Sequence, residues 1–108
     1  MDDPYRNLAN AIIIQAAVDY RMYPKTRKYF VTLLEKAELK VQDAKKTGDL
    51  KAVGRAIRHR DFRQNKLFQL DAEHKYIERF FVSDWFGMMT NTNGAMILQR
   101  LQEETHAR

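Results

Sequence analysis

The sequence contains no cysteine, which excludes disulfide bonds, thiolate nucleophiles and cysteine metal ligands. It has only four glycines, all isolated, so it lacks a glycine-rich phosphate-binding loop. Near the N-terminus its longest apolar run is AIII, far short of the about 20 residues that span a bilayer. The start MDDPYRNL is acidic and polar, unlike a signal peptide. These features predict a cytoplasmic protein without covalent cross-links or a membrane segment.

The length of 108 residues suits a single domain, which can bury about two-thirds of the surface that its unfolded chain exposes. Strand-like alternation of useful length, internal repeats and low-complexity linkers are all missing. We therefore expect an all-α, single-domain bundle of four to six helices over residues 1–108. Residues 103–108 are expected to form a frayed tail.

The first half of the sequence predicts two helices. Asp3 and Pro4 suit the start of the first, which Pro24 is expected to end or kink. The second is expected from about Thr26 until Gly48 ends it, and Asp49 then caps the next helix. The expected buried faces are Leu8, Ala9, Ile12, Ala16 and Tyr20, widened by Ile13 and Ala17, and then Phe30, Leu33, Leu34, Ala37, Val41 and Ala44.

A third helix is expected over about residues 50–64 and a fourth over about 71–82. Neither Pro nor Gly separates them, so they could equally be one long helix. Arg60 falls on the apolar side of the third and could shift it away from the core. The expected inward residues are Leu50, Val53, Ala56 and Ile57, and then Tyr76, Ile77, Phe80 and Phe81.

The stretch FFVSDWFGMMTNTNG, residues 80–94, gathers large apolar side chains. Ser83 is expected to cap a short helix over 84–89, and Asn93 or Thr92 to cap a last helix that turns Ile97, Leu98 and Leu101 inward. Trp85, Phe86, Met88 and Met89 are expected in the core, with Gly87 letting another helix approach closely. The alternative is a docking surface, because methionine also suits adaptable interfaces.

The net charge of +5 is uneven: residues 1–48 carry +3, residues 49–66 carry +4 and residues 67–108 carry −2. On a helical wheel of about 100° per residue, one side of the third helix holds the excess. Cations bind phosphates, and an aromatic side chain among them can stack on a base or enter a partner's pocket. The candidates for binding DNA, RNA or an acidic protein surface are Arg55, Arg58, His59, Phe62, Arg63 and Lys66.

Other interpretations compete with binding. The basic side could be an ordinary solvated face, with Phe62 packed on another helix, and no convincing helix-turn-helix pattern occurs. His74 and Glu78 lie one helical turn apart and could share a metal, but we expect them to belong to an exposed polar face instead. Ser83 suits a cap better than a nucleophile. We expect no catalytic residue, no metal and no cofactor, and hence no enzyme.

Two stretches together carry a family resemblance: QAAVDYR, residues 15–21, and ERFFVSDWFGMMTNTNGAMILQRLQEE, residues 78–104. They resemble a group of small helical proteins encoded by phages and prophages of Gram-positive bacteria. Met89 and Asn93 stand where that group usually has Leu and Asp. The matching residues are Asp19, Tyr20, Arg21, Phe80, Phe81, Ser83, Asp84, Trp85, Phe86, Thr90 and Gly94.

The resemblance covers about a third of the chain, excludes the basic segment, and implies a setting rather than a mechanism. We expect a phage accessory protein, regulatory or anti-host, that binds through the basic helix. The alternative is an interaction or self-assembling module, for example a homodimer, docking through Trp85, Phe86, Met88 and Met89. Asp19 and Arg21 are expected to hydrogen-bond around Ser83 and Asp84. The bundle would then be held together by Asp19, Arg21, Ser83, Asp84, Trp85 and Phe86.

Overall fold

The computed structural model describes residues 4–106, and every regular element in that range is an α-helix. The helices are α1 (Pro4–Thr47), α2 (Leu50–Phe81), α3 (Asp84–Met89) and α4 (Gly94–His106). The predicted all-α fold is confirmed, and the four helices fall within the expected four to six. The predicted cap at Asp3 lies outside the described residues.

α1 runs without a break through Pro24, so the predicted first and second helices are one. Proline removes one backbone donor and crowds the preceding turn, which is why its presence favoured a boundary. The helix has side-chain partners on both sides of this position. Tyr23 stacks on His74, and the Arg27 Nε donates to Asp71 Oδ1 at 3.1 Å. Side chains on both sides of Pro24 therefore contact α2.

The loop between α1 and α2 forms as the sequence predicts. Gly48 has a φ of +75°, in the left-handed region that only glycine adopts readily. Asp49 Oδ1 accepts hydrogen bonds from the backbone N–H of Lys51 at 3.0 Å and of Ala52 at 3.4 Å. Gly48 therefore ends one helix and Asp49 caps the next.

α2 unites the predicted third and fourth helices, which settles a question that the sequence left open. Arg60 does not move the helix off its path. Its guanidinium instead pairs with the neighbouring Asp61 at 3.1 Å and is about one-third exposed. A long side chain can reach water from a partly buried position, so helical spacing alone overstates its cost.

The two capping residues near the C-terminus are confirmed. Ser83 Oγ accepts from the Phe86 N–H at 3.2 Å, and Asn93 Oδ1 accepts from the Met96 N–H at 3.2 Å. α4 then continues to His106, so residues 103–106 are helical rather than frayed. The Thr105 hydroxyl donates to the Leu101 carbonyl at 3.0 Å within this last turn.

The helices build two compact units, which we call unit 1 (residues 1–24 and 73–108) and unit 2 (residues 25–72). Unit 1 has an aromatic core in which Tyr20, Phe81, Phe86 and Leu101 are at most 3% exposed. Unit 2 consists of two helical segments joined by the 48–49 loop, and its buried side chains are Ala37 and Val41.

Three residues of the predicted stripes in α1 and α2 are exposed instead: Leu8, Leu50 and Tyr76. Each belongs to an apolar stripe whose other members are more buried. Leu50 is the first residue of α2, where the helix has no preceding turn to cover it. Helical spacing tells which residues share a side, but not how far along that side a packing partner extends.

Candidate functional site

The predicted basic side of α2 exists as a surface in unit 2. We call its six residues the basic face, and they are Arg55, Arg58, His59, Phe62, Arg63 and Lys66. All are exposed except Arg63, which is half-buried. Lys51 is also exposed and precedes Arg55 by one helical turn. Lys51 was not among the predicted residues, although it lies four positions before Arg55 and the same helical spacing indicates it.

The cations of the basic face are not neutralised by carboxylates. Within residues 4–106, Arg55, Arg58 and Lys66 make no ion pair, and the pairs of unit 2 use Arg27 and Arg60. Unpaired cations on one side of a helix produce a positive potential that attracts anions.

The charge of the two units differs in sign. Unit 2 contains 13 Lys and Arg against 6 Asp and Glu, a net charge of +7. Unit 1 contains 6 against 8, a net charge of −2. The basic face therefore lies in the unit that carries all of the positive excess of this chain.

Phe62 lies in the middle of the basic face and is 50% exposed. The Arg63 guanidinium carbon and the Lys66 ammonium each lie 5.5 Å from the centroid of its ring. This distance is typical of cation–π contacts, in which a cation lies over the face of an aromatic ring. Half of the Phe62 surface is accessible, so another helix does not enclose the ring.

A second candidate surface is a groove in unit 1, with a volume of about 810 Å³, between the start of α1 and α3 with its following turn. Its apolar lining includes Leu8, Trp85 and Met88, of which Trp85 is 54% and Met88 82% exposed. The prediction that Trp85 and Met88 lie in the core is wrong, whereas Phe86 is buried as predicted. α3 has only six residues, so it buries one side, and Trp85 and Met88 share the other.

The glycine that permits close packing is not the predicted one. A Cβ on Gly87 would meet no atom within 4 Å, so no helix approaches it. A Cβ on Gly94 would overlap the Phe81 carbonyl oxygen and lie 2.8 Å from Phe86 Cδ1. Asn93-Gly94 belongs to the stretch that carries the family resemblance, and this match was the available signal.

Asp19 and Arg21 do not bind Ser83 or Asp84 as predicted. Asp19 accepts from the Gln15 side-chain amide at 2.8 Å, while Arg21 donates to the two Glu104 carboxylate oxygens at 2.8 and 3.5 Å. The hydrogen bond to Glu104 raises the pKa of Arg21. Ser83 has only local partners, since its hydroxyl donates to the Phe80 carbonyl at 2.7 Å and caps α3.

The residue between them, Tyr20, makes a part-buried polar contact in unit 1. Its hydroxyl donates to Glu78 Oε2 at 3.0 Å, and the Gln102 amide donates to the same oxygen at 3.3 Å. Burial, followed by the hydrogen bond and charge of Glu78, raises the pKa of Tyr20 to about 12. Tyr20 and Glu78 are 58 positions apart, so helical spacing could not indicate their contact.

His74 and Glu78, which were considered as a possible metal pair, both contact other side chains. The His74 ring stacks between Tyr20 at 4.6 Å and Tyr23 at 3.6 Å between centroids. Glu78 accepts the hydrogen bonds of Tyr20 and Gln102. Across residues 4–106, no three His, Asp or Glu side chains gather as potential metal ligands.

None of the helices in the described range is both long and apolar enough to cross a membrane. No protein-family model, curated protein sequence or solved structure matches the chain significantly.

Proposed function

We propose that this protein is a small, non-enzymatic accessory protein of a phage or prophage that binds a polyanionic partner through its basic face. The partner is a nucleic acid or an acidic protein surface, and the role is regulatory or directed against a host enzyme. The observation that carries the proposal is the set of three exposed, unpaired cations around an exposed Phe62. The phage setting follows from the resemblance of residues 15–21 and 78–104.

The size of the basic face supports this proposal. Together with Lys51, one helical turn before Arg55, its cations extend as far as Lys66, over about 22 Å of helix at about 1.5 Å per residue. A polyanion lying along this length would release counterions from several of its charges at once. Affinity would then fall steeply with added salt, which distinguishes binding by the basic face from apolar association.

Fluorescence anisotropy with labelled single-stranded DNA, duplex DNA, heparin and an acidic peptide tests the proposal at two salt concentrations. We expect at least one of these polyanions to bind in a salt-dependent manner. Reversing two exposed cations, in Arg55→Glu/Arg58→Glu, should weaken that binding by about tenfold or more, since each lost phosphate contact also removes a released counterion.

The matched control is Lys75→Glu/Arg79→Glu, which makes the same change of charge at exposed positions of α2 in unit 1. Its affinity should stay within about threefold of the wild type, apart from the effect of net charge. Equal losses in the two double variants would contradict a localised site. Absent or salt-independent binding to every polyanion would contradict the proposal itself.

The second candidate function is self-association through the groove of unit 1. It is favoured by Leu8, Trp85 and Met88, three large apolar side chains that are more than half exposed and line one groove. Large exposed apolar side chains that line one groove are common at protein interfaces. Light scattering over a range of concentrations tests it, and Trp85 fluorescence reports whether the groove becomes covered.

For self-association we expect a dimer that Met88→Glu dissociates, because a charge would be buried in the interface. The control is Met96→Glu, the same change at a position on α4 that is 54% exposed and lies outside the groove lining. A monomer at all concentrations would eliminate this candidate and leave the polyanion proposal unaffected.

A further inference from the structure

The basic face has an arrangement that distinguishes among polyanions. Arg58, Phe62 and Lys66 follow each other at four-residue steps, which places them about 6 Å apart along the same side of α2. An accessible phenyl ring thus lies between two exposed cations. An apolar ring at the centre of the basic face makes no favourable contact with phosphates or carboxylates alone.

The ring is a poor fit to duplex DNA. In a duplex the faces of the bases are covered by their neighbours, so a protein meets base edges in the grooves and phosphates along the backbone. A phenyl ring among phosphate-binding cations would be pressed against charged oxygens and would remove water from them. Phe62 therefore weakens, rather than strengthens, the case for a duplex.

Unpaired bases can stack on the Phe62 ring. Each base of a single strand has an accessible aromatic face, and stacking on a protein aromatic side chain is tolerant of sequence. The phosphates on either side of a stacked base can then reach the cations one helical turn away. We infer that the basic face binds single-stranded nucleic acid, with a base stacked on Phe62 and neighbouring phosphates on Arg58 and Lys66.

The contacts of Phe62 agree with this geometry. The Arg63 side chain is half-buried, so its guanidinium stays beside the ring. The Lys66 ammonium is on an exposed, flexible side chain and can leave the ring for a phosphate when a base arrives. Binding then replaces an exposed cation–π contact with a stacked base and a charge-assisted hydrogen bond.

This inference rests on the proposed function, because it names the polyanion that the basic face recognises. Its test compares oligo(dT) of about 12 nucleotides, a duplex of the same length, heparin and a polyglutamate peptide by anisotropy at one salt concentration. We expect the single strand to bind about tenfold more tightly than the duplex. Phe62→Ala should lose about tenfold for the single strand and leave heparin and duplex binding unchanged.

Two variants separate stacking from folding. Phe62→Tyr keeps an aromatic face and should bind the single strand as the wild type does. Phe68→Ala removes a phenyl ring from the same helix that is 74% exposed and lies off the basic face, and it should change no affinity. Circular dichroism checks that each variant retains its helices.

The outcomes distinguish the inference from the proposed function. Equal affinities for single strand and duplex, unchanged by Phe62→Ala, would overturn stacking but leave polyanion binding in place. Preference for polyglutamate over every oligonucleotide would also overturn the inference and assign the basic face to an acidic protein. Failure of all four probes to bind would overturn both.

Discussion

Unit 1 buries large aromatic side chains, whereas the buried residues of unit 2 are Ala37 and Val41. In unit 1, Phe81 and Phe86 are nearly inaccessible, and Phe80 contacts both of them with centroids 5.4 and 5.5 Å away. Buried aromatic groups contribute most to a core because each removes a large area from water. Shortening a buried side chain should therefore cost more stability in unit 1 than in unit 2.

The net charge of unit 2, unlike the aromatic core of unit 1, works against stability. Unit 2 carries +7 with a core of small side chains, and like charges on a compact unit repel one another. That repulsion opposes folding. The comparison teaches that the core residues that stabilise unit 1 are distinct from the residues of the basic face, for which we propose binding.

The sharpest test of this difference removes one phenyl ring from each unit. Phe86→Ala should destabilise the protein by about 3–5 kcal/mol, because it leaves a cavity in the core of unit 1. Phe68→Ala, the same change at a position of unit 2 that is 74% exposed, should alter stability by less than about 0.5 kcal/mol. Urea unfolding followed by circular dichroism measures both, and similar small effects would remove the distinction between the units.

Two glycines sharpen the comparison within unit 1. Gly94→Ala should cost about 3 kcal/mol, because the new methyl group meets the Phe81 carbonyl, a backbone group that cannot easily move. Gly87→Ala meets no neighbour and should stabilise α3 by up to about 1 kcal/mol through helix propensity. The two melting temperatures should therefore shift in opposite directions, and a tolerated Gly94→Ala would refute the close approach of α4 to Phe81.

The smallest expected effect concerns the buried hydroxyl of unit 1. Tyr20→Phe removes the hydrogen bond to Glu78 and should cost about 1–2 kcal/mol near neutral pH. Tyr29→Phe, at a tyrosine of unit 2 that is 61% exposed, is the matched control and should change stability by less than about 0.5 kcal/mol. Urea unfolding at pH 7 measures the free energy of unfolding of both variants.

The effect of Tyr20 also depends on pH in a defined direction. Its pKa is raised from 10.0 to about 12, so the folded state favours the protonated phenol. The stability that this group supplies is complete below about pH 10 and is lost as the pH rises towards about 12. The wild type should therefore lose its advantage over Tyr20→Phe between about pH 10 and 12, and a constant difference would contradict this assignment.

Helix boundaries with a local chemical cause were predictable. Gly48, Asp49, Ser83 and Asn93 act through their own backbone angles or through hydrogen bonds to residues two or three positions away. Such contacts are contained in a short stretch of sequence. The basic face was predictable for the same reason, since one helix brings its residues to one side without help from the rest of the chain.

Local chemistry was thus enough to determine the all-α class, the caps and the basic face. It failed at Pro24, which lies inside a continuous α1, and at Gly87 and Gly94, where the neighbouring backbone decides which glycine is required. The partners of Asp19 and Arg21, and the exposure of Trp85, likewise depend on which surfaces meet after folding. Only the tertiary structure decides these points, because contacts between distant segments leave no periodic trace in the sequence.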